Sequence, residues 1–149
     1  MKPRVVRAIT DSRGRVVREF KPQQISRVIS PQTAAHVTRM MALVVSEGGT
    51  GTQAALEGYT AGGKTGTAQK IGPSGTYAKN LYVSSFLGFA PLEEPRLAIL
   101  VVLDEPRKGY YGGVVAAPVF QEVISNALRI LDIPPDDLPT LAHNKGKGA

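Results

Sequence analysis

The sequence predicts an α/β (α+β) fold in which an antiparallel sheet is flanked by helices. Three observations carry this. Two β-rich runs, NLYVSSFLGFAPL and RLAILVVLDEP, are separated only by residues 91–95, too short a connection for a crossover helix, so they must pair antiparallel. Two other segments repeat apolar residues at helical spacing. The length of 149 residues, at 42% hydrophobic and 20% charged, suffices for one domain with its own core.

The elements follow in order. PRVVRAIT and RVVREF flank the turn residues DSRG, which is a hairpin pattern. Ser30 and Pro31 then supply a helix N-cap and a proline at the first helical position. Val37, Met40, Met41, Val44 and Val45 form a single apolar stripe, with both methionines read as core, and Gly48-Gly49 should stop that helix. GGTGTQAALEGYTAGG reads as loop with one short helical turn around Gln53 to Leu56. KTGTAQK alternates as an edge strand and precedes the two long strands. Phe120, Val123, Ile124, Ala127, Leu128 and Leu131 make the stripe of a closing helix that Pro134-Pro135 ends. Residues 136–149 read as a mobile tail, so the domain is drawn as 1–135.

The net charge of +6 is uneven: residues 1–27 hold eight basic and two acidic side chains, and the remainder is balanced. Such a patch suits nucleic acid, anionic lipid or an acidic polymer. Only Phe20 interleaves the cations as a stacking platform, so the segment is read as a solvated hairpin face and no nucleic-acid partner is expected. The absence of cysteine removes disulfides, thiolate catalysis and cysteine metal sites. His36 falls in a helix and His143 in a Gly/Lys tail, so neither a metal nor a cofactor is expected. The longest apolar run, Leu97 to Leu103, has seven residues, far short of a membrane span, and no apolar signal region follows Met1.

GYTAGGKT, Gly58 to Thr65, fits the phosphate-binding P-loop expression, and LAILVVLDE resembles the strand whose acid would hold magnesium. The flanks argue against it. A P-loop needs a buried strand before the glycines and a helix starting at Lys-Thr, whereas SEGGTGTQAALE precedes and TGTAQKIG runs into a proline. Read as an edge strand, the same residues have other uses. Alternation puts Lys64, Gly66 and Ala68 on one side and Thr65, Thr67 and Gln69 on the other. Lysine supplies a fixed charge, the two hydroxyls can bind a carboxylate, and a free Thr67 N–H can stabilise an oxyanion, while Gly66 permits close approach.

Lys-Thr-Gly, with Ser-x-x-Lys and a Ser-x-Asn type element, is the signature of penicillin-binding proteins and class A β-lactamases. EGGTGTQAALEGYTAGGKTGTAQK, YVSSFLGFAP, LAILVVLDEP and YYGGVVAAPVFQEV, in this order, resemble the C-terminal part of the transpeptidase domain of class B penicillin-binding proteins of the division septum. The resemblance implies a partial penicillin-binding protein/β-lactamase-like transpeptidase fold. It also implies a serine acyltransferase that crosslinks peptidoglycan stem peptides ending in D-Ala-D-Ala and is acylated by β-lactams. Lys64 would stabilise charge beside the second-motif serine and the substrate carboxylate, Thr65 and Thr67 would bind that carboxylate, and Thr67 N–H would complete the oxyanion hole. Gly66 belongs to the same element and Gln69 would flank the groove. Partners would be the upstream part of the same domain and other division proteins, at the periplasmic face behind an anchor.

Two of the three catalytic elements do not occur. Three positions after Ser12, Ser26, Ser30, Ser46, Ser74, Ser84, Ser85 and Ser125 stand Arg, Ile, Thr, Gly, Tyr, Leu, Gly and Leu, never lysine. The chain is therefore expected to be a fragment, one wall of the site without nucleophile or general base, and inactive alone. A non-catalytic module binding cell-wall peptide or a division partner, a serine β-lactamase and a nucleotide-binding protein stand as alternatives.

Overall fold

The computed structural model describes residues 1–137. They divide into two compact units, Met1–Ala35 and the chain from His36 onward.

In the first unit, β1 (Ala8–Thr10) and β2 (Val16–Glu19) pair antiparallel, with Ala8 opposite Glu19 and Ile9 opposite Arg18. Asp11 sets the turn between them. Its carboxylate accepts the Arg13 and Arg15 N–H groups, each at 2.9 Å, and Arg15 Nε at 2.7 Å, while Gly14 takes φ +79°. These bonds, the Arg15 N–H first, hold the Asp11 carboxyl below its ordinary value. The Arg18 guanidinium lies 4.8 Å over the Phe20 ring. Helix α1 (Pro31–Val45) starts in this unit and runs into the second. Ser30 Oγ accepts Thr33 N–H at 3.0 Å, the cap that Ser30-Pro31 encodes.

The second unit is built on the three-stranded antiparallel sheet β3 (Gly62–Ile71), β4 (Tyr77–Ala90), β5 (Leu97–Asp104), in that spatial order. The register runs unbroken from Gly62 opposite Phe89 to Gln69 opposite Tyr82, and a bulge follows near Ile71. A 3-10 turn (Thr52–Ala54), a short helix α2 (Gly112–Val115) and helix α3 (Ala117–Ile130) complete it. The core lies between one sheet face and α3: Phe86, Phe120, Ile124 and Leu128 are fully buried. Phe86 and Phe120 meet with ring centroids 4.9 Å apart at 54°. Gly88 makes this contact possible, because a Cβ there would stand 2.5 Å from the Phe120 ring.

The mixed fold with an antiparallel sheet agrees with the sequence reading, and three particulars do not. Val37 and Met40 are exposed and Met41 is half-buried, so only the end of the α1 stripe, at Val45, is core. Helical spacing aligns apolar side chains but cannot supply the surface that covers them. Val123 and Leu131 likewise remain on the outside of α3. Of YYGGVV, unassigned in the sequence, the last four residues form α2. Asp136 and Asp137, the first residues of the expected tail, donate their N–H groups to Gly58 O. Residues 138–149 lie outside the described residues.

Candidate active site

Lys64, Thr65, Gly66 and Thr67 lie within β3, an edge of its sheet. No helix begins at Lys64-Thr65, so the geometry a phosphate loop requires is missing. The acids at the end of β5 are engaged by Lys70, whose Nζ donates to Asp104 at 2.9 Å and Glu105 at 2.6 Å. These bonds, Glu105 first, raise Lys70 above the ordinary lysine value.

Alternation along β3 separates the site residues as the sequence suggests. Thr65 and Thr67 line a cleft of about 370 Å³ together with Thr50, Tyr111, Gly112, Gly113 and Val114. Thr50 Oγ1 lies 3.3 Å from Thr65 Oγ1, and Gly112 N–H donates to Thr67 Oγ1 at 3.1 Å. Gly112 and Gly113 bring α2 this close. A Cβ on Gly113 would overlap the Thr50 carbonyl oxygen, and one on Gly112 would reach 2.5 Å from Gly66 O and nearer still to Ser85 O. On strand β3 a Cβ at Gly66 would collide with Ser85 Oγ, its cross-strand neighbour.

The crowding at Gly112 also orients the strand's main chain. One point lies close to both Gly66 O and Ser85 O, so these oxygens sit side by side, as in a hydrogen-bonded antiparallel pair and not a wide one. Residues on either side of such a pair turn their main-chain groups away from the partner strand. Thr65 and Thr67 therefore present N–H and C=O along the free edge of β3. The Lys64 ammonium agrees with this, donating to Thr65 O at 2.9 Å from an exposed position. The arrangement offers one cation, two hydroxyls and outward N–H groups within one turn of chain.

Gln69 is placed differently. Its amide donates to Ala78 O at 2.9 Å across the β3–β4 hairpin, and it is not among the residues lining the cleft. Thr50, Tyr111 and Gly112, which sequence reasoning missed, do line it. The signal for two of them was YYGG, adjacent aromatic and glycine pairs. Tyr110 stacks on Tyr82 with centroids 4.4 Å apart at 15°, and its hydroxyl donates to Tyr111 at 3.2 Å. That bond is the main cause holding Tyr110 above the ordinary tyrosine value. Buried Ser84 donates to Tyr110 O, tying this loop to β4.

The family described as the penicillin binding protein transpeptidase domain matches residues 1–125. The chain is 49% identical over 110 residues to the probable peptidoglycan D,D-transpeptidase PenA of Neisseria flavescens, covering 73% of this chain and 27% of that protein. It is 42% identical over 128 residues to the peptidoglycan D,D-transpeptidase FtsI of Escherichia coli K12, covering 82% of this chain and 22% of the relative. Among solved structures, penicillin binding protein 3 of Mycobacterium tuberculosis, complexed with ampicillin, aligns with TM-score 0.80 and 34% identity over 93% of this chain and 32% of its own. The apo transpeptidase domain of Burkholderia pseudomallei penicillin-binding protein 3 aligns with TM-score 0.69 and 43% identity, covering 76% and 34% of the two chains. The chain thus spans about a quarter of the curated relatives' length, 27% and 22% for the two named. On the match to residues 1–125 and these identities, it belongs to the penicillin-binding protein transpeptidase family.

Proposed function

We propose that this chain forms one wall of the acyl-transfer site of a peptidoglycan D,D-transpeptidase, and that the wall is the Lys64–Thr67 stretch of β3. The observation that carries the reading is the convergence of Thr65 and Thr67 on one cleft at the free edge of that strand. Gly112 N–H donates to the Thr67 oxygen, which leaves the Thr67 O–H as a donor for a carboxylate in the cleft. Lys64, not itself among the residues lining the cleft, would steady the same carboxylate from the strand edge, where its ammonium sits on Thr65 O. An extended stem peptide ending in D-Ala-D-Ala would lie along the strand edge.

The reaction is acyl transfer. A serine oxygen attacks the carbonyl carbon of the penultimate D-Ala, its proton passes to a base, and the outward Thr67 N–H stabilises the oxyanion. The C–N bond then breaks, free D-Ala leaves with a proton on its amine, and an amine of a second stem takes the acyl group. A β-lactam presents its ring amide to the same serine. No serine of these 149 residues has lysine three positions on, so the nucleophile and base would come from the upstream part of the same domain. Two features receive it. The outer edge of β5 is unpaired among the described residues, and Leu87, Leu100 and Val102 are exposed on the face opposite α3. The work would be done outside the cytoplasmic membrane, at the division septum; among the described residues no helix is long and apolar enough to cross a membrane.

Fluorescent penicillin tests this. The full-length protein should be labelled covalently, Lys64→Ala should cut the labelling rate at least about 10-fold, and the isolated chain should neither be labelled nor release D-Ala from a stem-peptide mimic. Labelling of the isolated chain, or an unchanged rate in Lys64→Ala, would defeat the proposal.

A further inference from the structure

Four residues before Lys64, the chain is fastened to the segment that follows α3. Asp136 Oδ1 accepts Thr60 N–H at 2.7 Å, and its other oxygen accepts the Thr60 hydroxyl. Thr60 Oγ1 in turn accepts Leu92 N–H at 2.8 Å, just beyond the end of β4. Gly58 O takes the N–H groups of Asp136 and Asp137, each at 3.1 Å, and Tyr59 OH donates to Ile133 O at 2.7 Å. One carboxylate, acting through one hydroxyl, therefore joins the entry to β3, the exit from β4 and the residues after α3.

The entry needs such a tie. It reads Ala61-Gly62-Gly63, and both glycines are closely packed: a Cβ on Gly62 would stand 2.9 Å from the end of the Leu92 side chain, and one on Gly63 would stand 2.5 Å from the Phe86 ring. Glycine loses more conformational freedom on ordering than any other residue, so this stretch is held least by its own preferences. Thr60 is the nearest preceding residue with a side chain able to fix it. We infer that Asp136, acting through Thr60, is a positioning residue for the Lys64–Thr67 strand, an inference that rests on the site reading above for its link to acylation. The segment after α3 is thus part of the site's frame.

The test has two readouts. By amide hydrogen exchange of this chain, Asp136→Ala should speed exchange at Gly62 and Lys64, whose N–H groups face β4, about 10-fold or more while Val101 and Leu103 in β5 keep wild-type rates. Asp136→Asn retains one acceptor for Thr60 N–H and should restore most of the protection. Thr60→Val should reproduce the alanine effect at Gly62 and Lys64. In the full-length protein, Asp136→Ala should lower the second-order rate of penicillin acylation about 10-fold under conditions where circular dichroism shows the protein still folded, and Asn should recover it. Exchange that quickens uniformly over the sheet would reduce Asp136 to a general stabiliser and overturn the inference. So would localised loosening with an unchanged acylation rate. If the wild-type full-length protein is not acylated at all, the proposed function fails, and the exchange pattern alone decides whether the tie exists.

Discussion

Gly112→Ala is the substitution that most directly separates α2 from the site strand. Its new methyl would lie 2.5 Å from Gly66 O and closer to Ser85 O. Both are main-chain oxygens of a paired ladder, so neither can rotate aside and α2 must lift. Overpacking of this kind costs about 1–3 kcal/mol. Lifting α2 also breaks the Gly112 N–H bond to Thr67 Oγ1, worth about 1 kcal/mol. The sum, about 2–4 kcal/mol, is a large share of the ~5–15 kcal/mol that holds a domain together. Urea unfolding followed by circular dichroism should show the midpoint falling by about 1–2 M. Gly72→Ala is the control: its Cβ would meet nothing nearer than Ala78 Cβ at 3.4 Å, and its stability should stay within about 0.5 kcal/mol of wild type. Thr67→Val should cost about 1 kcal/mol, and the double variant with Gly112→Ala should fall short of the sum, because both changes remove the same hydrogen bond. A Gly112→Ala midpoint equal to that of Gly72→Ala would refute the packing of α2 on β3 described above.

Phe120→Ala, at the centre of the α3 contact with Phe86, should cost about 3–5 kcal/mol by the same urea measurement. Lys64→Ala should leave the unfolding midpoint unchanged, since the exposed side chain bonds only to Thr65 O, and any loss of function it causes is then chemical and not structural. Tyr110 is held neutral above the ordinary tyrosine value, so its contribution is complete below that value and is lost as pH rises through the raised one; tyrosinate absorbance should show one late-titrating group that Tyr110→Phe removes. For Asp11 the sign is reversed: its turn is stabilised above the ordinary aspartate value and loosens as pH falls through the lowered one, which amide exchange at Arg13 and Arg15 should report and Asp11→Ala should abolish.

What could be read from the sequence was whatever local chemistry decides alone. Ser30-Pro31 caps α1, Asp11 and Gly14 set the first turn, and five residues between two apolar runs force β4 and β5 antiparallel. KTGTAQK was also legible, because alternation needs only its own residues to sort Thr65 and Thr67 from Lys64 and Gly66. The sequence could not show what depends on a distant partner. Val37 and Met40 keep helical spacing yet stay exposed, since periodicity says nothing about what covers a face. Glycine-rich YYGGVV suggested no element, but missing side chains let α2 settle over the β3 and β4 carbonyls. Asp136 fell in a segment whose Pro-Pro-Asp-Asp composition reads as an unanchored end, and its partner Thr60 lies 76 residues away.

The same distinction bears on what a three-residue motif can do. In the proposed site Lys-Thr-Gly would carry the substrate-binding groups, but its own residues do not place them: Thr65 meets Thr50, Thr67 meets Gly112, Gly66 lies on Ser85, and the approach to Lys64 is tied to Asp136. Each of these neighbours arrives from a different stretch of chain, and two of the contacts exist only because glycine stands on one side. A carboxylate-binding pair of hydroxyls is useful in catalysis only if both point donors at one spot before the substrate arrives. Gly112 N–H does this for Thr67 by occupying an oxygen lone pair and leaving the hydroxyl proton free to turn outward. Replacing the motif's neighbours should therefore impair the site as surely as replacing the motif, with Gly112 and Asp136 the two positions where that equivalence is easiest to measure.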